Sequence, residues 1–423
     1  MVQMFLKMAV GIIDKIMVGQ LGESAIAGVG VAEQLVFFLL MLFASISAGV
    51  NVLSSQCVGA GQFDGLKPIF GSAMITGIVS AIIFNALFYI YPRELLMLLG
   101  ANEGIAAAGT IYLKITSFSV ISITLTFMMT AVFRAFADNK TPMYASIAAI
   151  VMNTALAYVF IFIFNAGIAG AAYAALIARF AELFIMLYSF ERKKKKLRLS
   201  VRDSFCFSKD TFCKVVRVGW PVTIDMFVWQ LAGVASTLMI LKLGTEAAGA
   251  NEVIKMVQGV ALMPVVGISM AAASLVGQDL GREDFSGAER KADRILRISF
   301  CFVLLISVLT GIFSSRIPEF FNFNIQTKTL ASKSILIVSF LQLFYIFNVC
   351  FPNILRAGGD TKAIIYISGS AMWFFGLPLA YIFGITYKHG LYGIIAGINI
   401  GEMIKGLMFY TRYKRGLWKK KLI

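Results

Sequence analysis

The sequence predicts an all-α integral membrane protein with twelve transmembrane helices arranged as two six-helix halves. Three observations carry this prediction: an apolar composition, an internal repeat and an alternation of basic connections. The chain of 423 residues is 59% hydrophobic and only 14% charged, whereas soluble domains are about half apolar and about a quarter charged. The composition therefore excludes a soluble protein. The formal charge of +16 does not mark a folded nucleic-acid-binding surface either, because the basic residues lie in connections between apolar runs.

The internal repeat appears when the sequence is shifted against itself by 222 residues. Five of the matching pairs are Gly11 and Gly233, Gln56 and Gln278, Gly59 and Gly281, Arg134 and Arg356, and Asp138 and Asp360. From about residue 157 onwards the shift becomes 223 residues, as in the match of Tyr158 with Tyr381. Both copies run in the same direction along the chain. The pattern indicates a parallel duplication of the kind from which secondary transporters are built.

Apolar runs define six helices in each half. The predicted ranges are roughly 1–20, 25–60, 66–91, 104–136, 142–164 and 168–190, then 213–243, 247–280, 286–315, 328–357, 362–386 and 391–413. The first helix is expected to be short at its start, because residue 1 aligns with Thr223. Gly22 and Gly244 are expected to close the first helix of each half. Thr141 is expected to cap the fifth helix, with Pro142 at its first position.

Basic residues are concentrated in alternate connections between the predicted helices. The longest polar interval, 191–212, predicts a cytoplasmic linker between a first half at 1–190 and a second half at 213–423. Of the 38 Lys and Arg residues, 26 lie around this linker, in four further connections and in the carboxyl-terminal tail. By the positive-inside rule, both termini are expected to face the cytoplasm from a bacterial-type inner membrane.

Several motifs resemble those of one transporter family. The segment DKIMVGQLG, from Asp14 to Gly22, resembles the signature that ends the first helix of multidrug and toxic compound extrusion (MATE) transporters. The segments SQCVGAG and VGQDLG are similar to that family's paired signatures after the second and eighth helices, and FRAFADNKTP and LRAGGDTK to its R-x-x-x-D-x-K turns. The residues assigned to these structural turns are Gly22, Gln56, Gly59, Arg134, Asp138, Gly244, Gln278, Gly281, Arg356 and Asp360. The resemblance spans essentially the whole chain, and its site pattern is similar to the prokaryotic DinF-like branch.

Asp14 is the main candidate for ion coupling, because a carboxylate at bilayer depth costs about 3 kcal/mol and calls for a partner or a function. The resemblance implies that Asp14 faces the central cavity of the first half and binds Na⁺ or a proton with Asn153. Structural alternatives are an ion pair of Asp14 with Lys15 and a helix–helix hydrogen bond of Asn153. Family members often carry a second polar or acidic residue where this chain has Ala157, and the stretch 170–175 contains no Ser or Thr. A protonatable Asp14 is therefore the simpler interpretation.

Asp225 is the acid inside the membrane in the second half. Many relatives carry a Glu on this helix at the position that Trp229 occupies here, so the family's second cation site is not expected to carry over. Asp225 is expected either to contact substrate or to lie at the helix start near the cytoplasmic interface. Trp229 is a candidate cleft contact.

Glu33 and Lys255 occupy equivalent repeat positions and are further candidates for cleft contacts. The resemblance allows an ion pair between them during transport, and the alternative is that Lys255 pairs with Glu252 one turn away on its own helix. Two more charge pairs at matching repeat positions are expected to be structural. They are Arg179 with Glu182 and Glu402 with Lys405.

Together, the motifs imply a cation-coupled antiporter that exports organic, often cationic or amphiphilic, compounds in exchange for H⁺ or Na⁺ by alternating access. A lipid-linked precursor flippase of the same superfamily is the alternative within transport. It would be expected to carry a cluster of basic cleft residues, and this sequence offers only scattered Lys114, Arg179 and Lys255. A polytopic membrane enzyme is the alternative outside transport. The lone His389 lies in a loop, and no catalytic motif accompanies it.

We therefore expect no catalytic residue, no bound metal and no cofactor beyond the transported ion. The expected partners are small organic substrates, H⁺ or Na⁺ and membrane lipids, with the run from Lys193 to Lys196 touching anionic headgroups. No nucleic acid is expected, and the protein is expected to be a monomer.

Overall fold

The computed structural model describes residues 11, 13–14, 16–321 and 323–423, and every regular element in this part of the chain is helical. Ten helices here are long and apolar enough to cross a membrane, and a bent pair, Glu103–Ser117 with Ser119–Ala135, provides an eleventh span. Their bounds follow the predicted apolar runs to within a few residues. The predicted all-α membrane fold is confirmed. Of the predicted first helix, residues 1–10, 12 and 15 lie outside the described residues.

One compact unit, called the first half below, ends at Gly219. Its helices are α1 (described at 11, 13–14 and 16–19), α2 (Glu23–Ala60), α3 (Leu66–Ile90), α4 (Pro92–Leu98), α5 (Glu103–Ser117), α6 (Ser119–Ala135), α7 (Lys140–Tyr158), α8 (Gly167–Arg192) and α9 (Lys194–Leu197). A π-helical turn, Val159–Ile163, extends α7, and Phe63–Gly65 and Val201–Phe205 form short 3₁₀ turns.

The second compact unit, called the second half, begins at Trp220, inside α10. The helices from α10 onwards are α10 (Lys209–Leu241), α11 (Thr245–Gly281), α12 (Phe285–Ile312), α13 (Ile325–Leu341), α14 (Tyr345–Ala357), α15 (Thr361–Ser370), α16 (Leu377–Tyr381) and α17 (Gly390–Lys414). Helices α13 and α14 form one span, and α15, α16 and two π-helical segments, Ala371–Gly376 and Ile382–Thr386, form another.

Turns at equivalent repeat positions share their backbone geometry. Gly22 and Gly244 have φ angles of 111° and 102°, a region that favours glycine, and each directly precedes a long helix. Asn102 and Asn324 each accept a hydrogen bond from a backbone N–H of the first helical turn that follows. The internal repeat in the sequence therefore corresponds, in the structure, to helix caps and turns with the same geometry in both halves.

The cap of α7 differs from the prediction. The helix begins at Lys140, before Thr141, and the Asp138 carboxylate accepts the Thr141 backbone N–H at 3.1 Å. Asp138 takes over the role because a carboxylate three residues before the free N–H can reach it, while the Thr141 hydroxyl itself donates to Asp138 at 2.9 Å.

The polar stretch predicted as a linker packs onto the first half. The Ser208 backbone N–H donates to the Ser72 hydroxyl at 3.0 Å, and that hydroxyl donates to the Ser208 carbonyl at 3.1 Å. A side chain at Gly71 would meet the Asp203 carbonyl oxygen at 2.7 Å, so the stretch lies directly on α3. The boundary between the compact units consequently follows Gly219, seven residues beyond the predicted linker at 191–212.

Helices pack closely where small residues meet. A Cβ built on Gly28 of α2 would lie 2.7 Å from the Gly109 backbone nitrogen of α5, so these two helices touch through their backbones. In the second half, α11, α12, α14 and α17 share a core around Phe351, Phe409 and the fully buried Trp418. These contacts fix the helices that carry the polar residues described next.

Candidate cation-coupling site

The structure brings Asp14 and Asn153 together. Asp14 lies on α1, two turns before Gly22, and the Asn153 side-chain amide of α7 donates a hydrogen bond to Asp14 Oδ2 at 2.7 Å. The other carboxylate oxygen, Asp14 Oδ1, is buried and has no hydrogen-bond partner among the described residues. A buried carboxylate oxygen without a donor favours binding of a proton or a cation. The suggested partner Lys15 lies outside the described residues.

A cavity of about 290 Å³ opens beside this pair within the first half. Glu33 of α2 and Tyr112 of α5 share its wall with Asp14 and Asn153. The remaining lining residues are apolar or glycine: Val18, Ile26, Val29, Gly30, Ala157, Ile161, Ala171 and Ala175. Two carboxylates facing one largely apolar cavity repel each other, and a shared proton or a cation relieves that repulsion.

Few oxygen atoms surround Asp14. The lining positions that could have supplied more ligands carry Ala157 and Ala175. Hard cations bound by proteins take about six oxygen ligands, whereas a proton needs only the carboxylate itself. The described oxygens in the wall belong to the Asp14, Glu33, Asn153 and Tyr112 side chains and to the backbone.

A smaller cavity, of about 150 Å³, lies in the second half at equivalent repeat positions. With the shift of 222 residues, Ser236 stands for Asp14 and Lys255 stands for Glu33, and both line this cavity. Trp229 and Tyr345 add aromatic walls. The second cavity therefore has a different charge pattern, with a cation where the first cavity has an acid.

Lys255 also has a partner on its own helix. Its ammonium group lies 2.9 Å from a Glu252 carboxylate oxygen and 3.4 Å from the Thr237 hydroxyl. This arrangement corresponds to the pairing within α11 that the sequence offered as one alternative. Glu33 contributes its carboxylate to the cavity of the first half.

Asp225 pairs with Arg356. The guanidinium of Arg356, near the end of α14, lies 3.2 Å from the Asp225 carboxylate of α10, and the two side chains are only 15% and 16% exposed. Asp225 does not line the second-half cavity. The pair instead ties α10 to the repeat motif that contains Arg356.

The family-like turns hold charges in place. Asp138 accepts hydrogen bonds from Lys193 at 2.7 Å and from Thr141, and its repeat equivalent Asp360 accepts two from Arg412, at 2.7 and 2.9 Å. Burial acts to raise the pKa of Asp138, but the hydrogen bonds from Lys193 and Thr141 outweigh it and hold the pKa below its usual range.

The other motif residues occupy the ends of the helices assigned to them. Gln56 and Gly59 lie in the last turns of α2, and Gln278 and Gly281 in the last turns of α11. Gln56 is fully buried. These residues belong to helix ends and turns and do not line either cavity described above.

The two i,i+3 charge pairs have opposite polarity. Arg179 lies 3.1 Å from Glu182 in α8, and in α17 the acid comes first, with Glu402 lying 2.9 Å from Lys405. Ser146 of α7 donates to Glu182 at 2.6 Å. In the second half, the Asn348 amide donates to Glu402 at 2.7 Å. Each acid is buried and satisfied by both its pair partner and a neighbouring helix.

Tyr112 is a wall residue that the sequence analysis missed. It lies in a helix of apolar and small residues, and its position relative to Asp14 depends on how α5 packs against α2. The repeat gives no signal either, because the equivalent position is Ser334.

Comparisons with known proteins agree with this architecture. The MatE family model matches residues 1–159 and 221–382. The chain is 26% identical to the uncharacterized transporter YisQ of Bacillus subtilis, covering 99% of this chain and 93% of the relative. It is 24% identical to the probable multidrug resistance protein NorM of Thermotoga maritima, covering 99% of this chain and 90% of the relative.

Solved structures show the same fold. A crystal structure of MATE in the bent conformation superposes with a TM-score of 0.92 at 18% identity, covering 98% of this chain and 92% of that one. The Vibrio cholerae MATE transporter VcmN in its bent form gives 0.91 at 20% identity, covering 98% and 94%. Since the family model matches well over half of the sequence, the chain belongs to the MatE family of multidrug and toxic compound extrusion transporters.

Proposed function

We propose that this transporter exports organic, often cationic or amphiphilic, compounds in exchange for H⁺ or Na⁺ by alternating access. Curated relatives include probable multidrug resistance proteins named NorM, which supports multidrug efflux as the function. The membrane is a bacterial-type inner membrane, with both termini in the cytoplasm as the distribution of basic residues indicates.

The observation that carries the proposal is that Asp14 Oδ1, beside a cavity with a second carboxylate, has no hydrogen-bond partner within the described part of the chain. One oxygen of Asp14 is fixed by Asn153, so the other is oriented while it lacks a donor. A proton or cation that binds there changes the charge of the cavity by one unit. The occupied and empty states then differ in electrostatic free energy, which is what coupling requires.

H⁺ is the ion that we propose first. The cavity wall offers alanine at 157 and 175, so the described side chains provide few of the ligands that a sodium ion needs. A carboxylate can bind a proton without further ligands. The acidic first cavity also favours a cationic or neutral cargo over the pyrophosphate of a lipid-linked precursor.

Dye efflux from proteoliposomes tests the proposal, with a pH gradient and a Na⁺ gradient imposed separately. Asp14→Asn keeps the shape of the side chain and removes its charge, so we expect gradient-driven efflux to fall more than tenfold. The wild-type protein should respond to the pH gradient and remain nearly unaffected by the Na⁺ gradient.

Asp64→Asn is the matched control, because it also removes one carboxylate but from an exposed side chain that lines neither cavity. This variant should transport at the wild-type rate. If Asp14→Asn transports dye at the wild-type rate under both gradients, Asp14 is not the coupling residue and the coupling site does not lie on α1. Efflux driven by Na⁺ alone would replace the proton in the proposal, and absence of dye efflux by a folded wild-type protein would favour the flippase alternative.

A further inference from the structure

A third cavity, of about 90 Å³, lies in the first half between α6, α7 and α8. Arg134 and Arg179 face it together with a single acid, Glu182. The remaining lining residues are Ile123, Thr126, Phe127, Thr130, Pro142 and Ser146. The formal charge of the wall is therefore positive by one unit. The volume exceeds the roughly 10–15 Å³ that one water molecule requires.

The acid of this cavity is already engaged. Glu182 accepts hydrogen bonds from Arg179 at 3.1 Å and from Ser146 at 2.6 Å. The next acid along the chain from Arg134 is Asp138, which accepts from Lys193 and Thr141. Arg134, which is mostly buried, forms no ion pair with a described side chain.

The positions outside the described part of the chain supply no acid for Arg134 either. Residues 1–10, 12, 15 and 322, which are outside the described part, include no Asp or Glu. A mostly buried guanidinium without a counter-charge is costly.

In the second half, a carboxylate neutralises the charge of the equivalent buried arginine. Arg356, the repeat equivalent of Arg134, pairs with Asp225. The first-half position that corresponds to Asp225 is Gln3, which carries no charge. The duplication therefore retained the arginine in both halves, and the described residues give it an acid partner only in the second half.

We propose that a small inorganic anion binds in the cavity between α6, α7 and α8, as the counter-charge of Arg134. The Thr126 hydroxyl supplies a second contact, because its oxygen is buried and has no hydrogen-bond partner among the described residues. Arg179 adds positive charge at the same wall. The site is separate from the Asp14 cavity and does not depend on the proposed transport reaction.

Halide binding to the purified protein tests this inference. Thermal unfolding is compared in sodium chloride, sodium bromide and sodium gluconate at one ionic strength. We expect the wild-type Tm to rise saturably by a few degrees in either halide relative to gluconate. Crystals containing bromide should show an anomalous peak at Arg134 and Thr126.

Three variants give the inference its controls. Arg134→Gln should lose the halide-dependent rise and be at least as stable as the wild type in gluconate, because it removes an uncompensated charge. Thr126→Val should raise the half-saturating halide concentration about fivefold. Arg316→Gln, which removes one exposed positive charge, should retain the wild-type response.

Two results overturn the inference. One is a wild-type Tm that does not distinguish halide from gluconate, together with no bromide at the cavity. The other is a full halide response in Arg134→Gln. If Arg134→Gln does not fold, the Thr126→Val variant and the bromide crystals decide. The inference is then overturned when Thr126→Val has the wild-type half-saturating halide concentration and bromide binds only outside this cavity.

Discussion

The two halves of this transporter share their turns and differ in their buried charges. Gly22 and Gly244 adopt the same backbone conformation with positive φ, and Asn102 and Asn324 cap equivalent helices. In contrast, Asp14 in the larger cavity corresponds to Ser236 in the smaller one. A duplicated fold needs the same chain reversals in both copies, whereas a buried charge needs only to be compensated locally. The buried charged residues could therefore diverge between the two halves, while the turns stayed the same.

The difference leads us to predict different roles for the two halves. In the first half, Asp14 Oδ1 has no hydrogen-bond partner and Arg134 forms no ion pair among the described residues. In the second half, Asp225 neutralises the arginine at the equivalent position. Incompletely satisfied charges are where exchangeable ions bind, and satisfied pairs hold helices together. The following variants test this contrast, beginning with the largest expected effect.

Breaking the Asp225–Arg356 pair should have the largest effect on stability. Both side chains are mostly buried, so Asp225→Asn leaves a buried guanidinium uncompensated and should lower the free energy of unfolding by about 3–5 kcal/mol. Equilibrium unfolding in mixed micelles measures the change. The double variant with Arg356→Gln should recover part of the loss. Equal destabilisation by Arg134→Gln in the first half would contradict the contrast.

Removing the amide that orients Asp14 should have the next largest effect. Asn153→Ala deletes the donor of a 2.7 Å hydrogen bond to the Asp14 carboxylate. Loss of this bond should reduce the free energy that holds Asp14 in place by about 1–3 kcal/mol. Initial rates of efflux under a pH gradient should fall several-fold. Asn399→Ala is the control in the second-half cavity, because its amide donates to the Ile395 carbonyl of its own helix and, among the described residues, to no other helix. Equal losses in both variants would remove the distinction between the cavities.

Asp138 should give a smaller, pH-dependent contribution. Its folded-state pKa is depressed below the value of about 3.9 for an unfolded Asp, so its stabilising effect is complete above that pH. The effect is lost as the pH falls through the folded-state pKa. The stability difference between wild type and Asp138→Asn should be constant from pH 5 to 7 and shrink below about pH 4. The exposed acid Asp64 provides the control variant Asp64→Asn, and a difference that grows on acidification would contradict the sign.

The smallest effect is expected at the exposed pair of α11. The Lys255 and Glu252 side chains are 46% and 68% exposed, so solvent screens their attraction. Glu252→Gln should change the free energy of unfolding by about 0.5 kcal/mol or less. The buried pair Glu402–Lys405 is the comparison, since Glu402→Gln removes a charge from a site that is nearly closed to solvent. Similar values for both variants would show that burial does not govern these pairs.

A further contrast concerns the fourth span of each half. In the first half, α5 and α6 meet at a bend of 50°, while the equivalent stretch Ile325–Ala357 stays a single span. Near the bend, the hydroxyls of Ser117 and Ser119 donate to the carbonyls of Lys114 and Thr116. Side-chain donors that compete for helix carbonyls weaken the local backbone ladder and bend helices. The second half has Leu341 where the first has Ser119, so one such donor is absent there.

The sequence alone determined the fold class, the helix bounds and the repeat. Apolar runs of sufficient length must become membrane helices because hydrocarbon leaves no other partner for backbone groups. The same reasoning identified Asp14 and Asn153, since polar residues at bilayer depth are few and stand out against their neighbours. The residues of the R-x-x-x-D-x-K turns were equally visible. The roles of Asp14 and Asn153 in ion coupling remain predictions, which the efflux experiment tests.

Only the tertiary structure decided which charges are satisfied. From the sequence, Asp225 could be interpreted equally well as a substrate contact or as an acid at a helix start. Its pairing with Arg356, which lies 131 residues further along the chain, depends on how α10 and α14 pack. The cavity positions of Tyr112 and Thr126 follow from the same kind of packing. A sequence states which groups carry charge or hydrogen-bonding capacity. Whether each group finds a partner depends on distances of a few ångströms between helices, which no local pattern encodes.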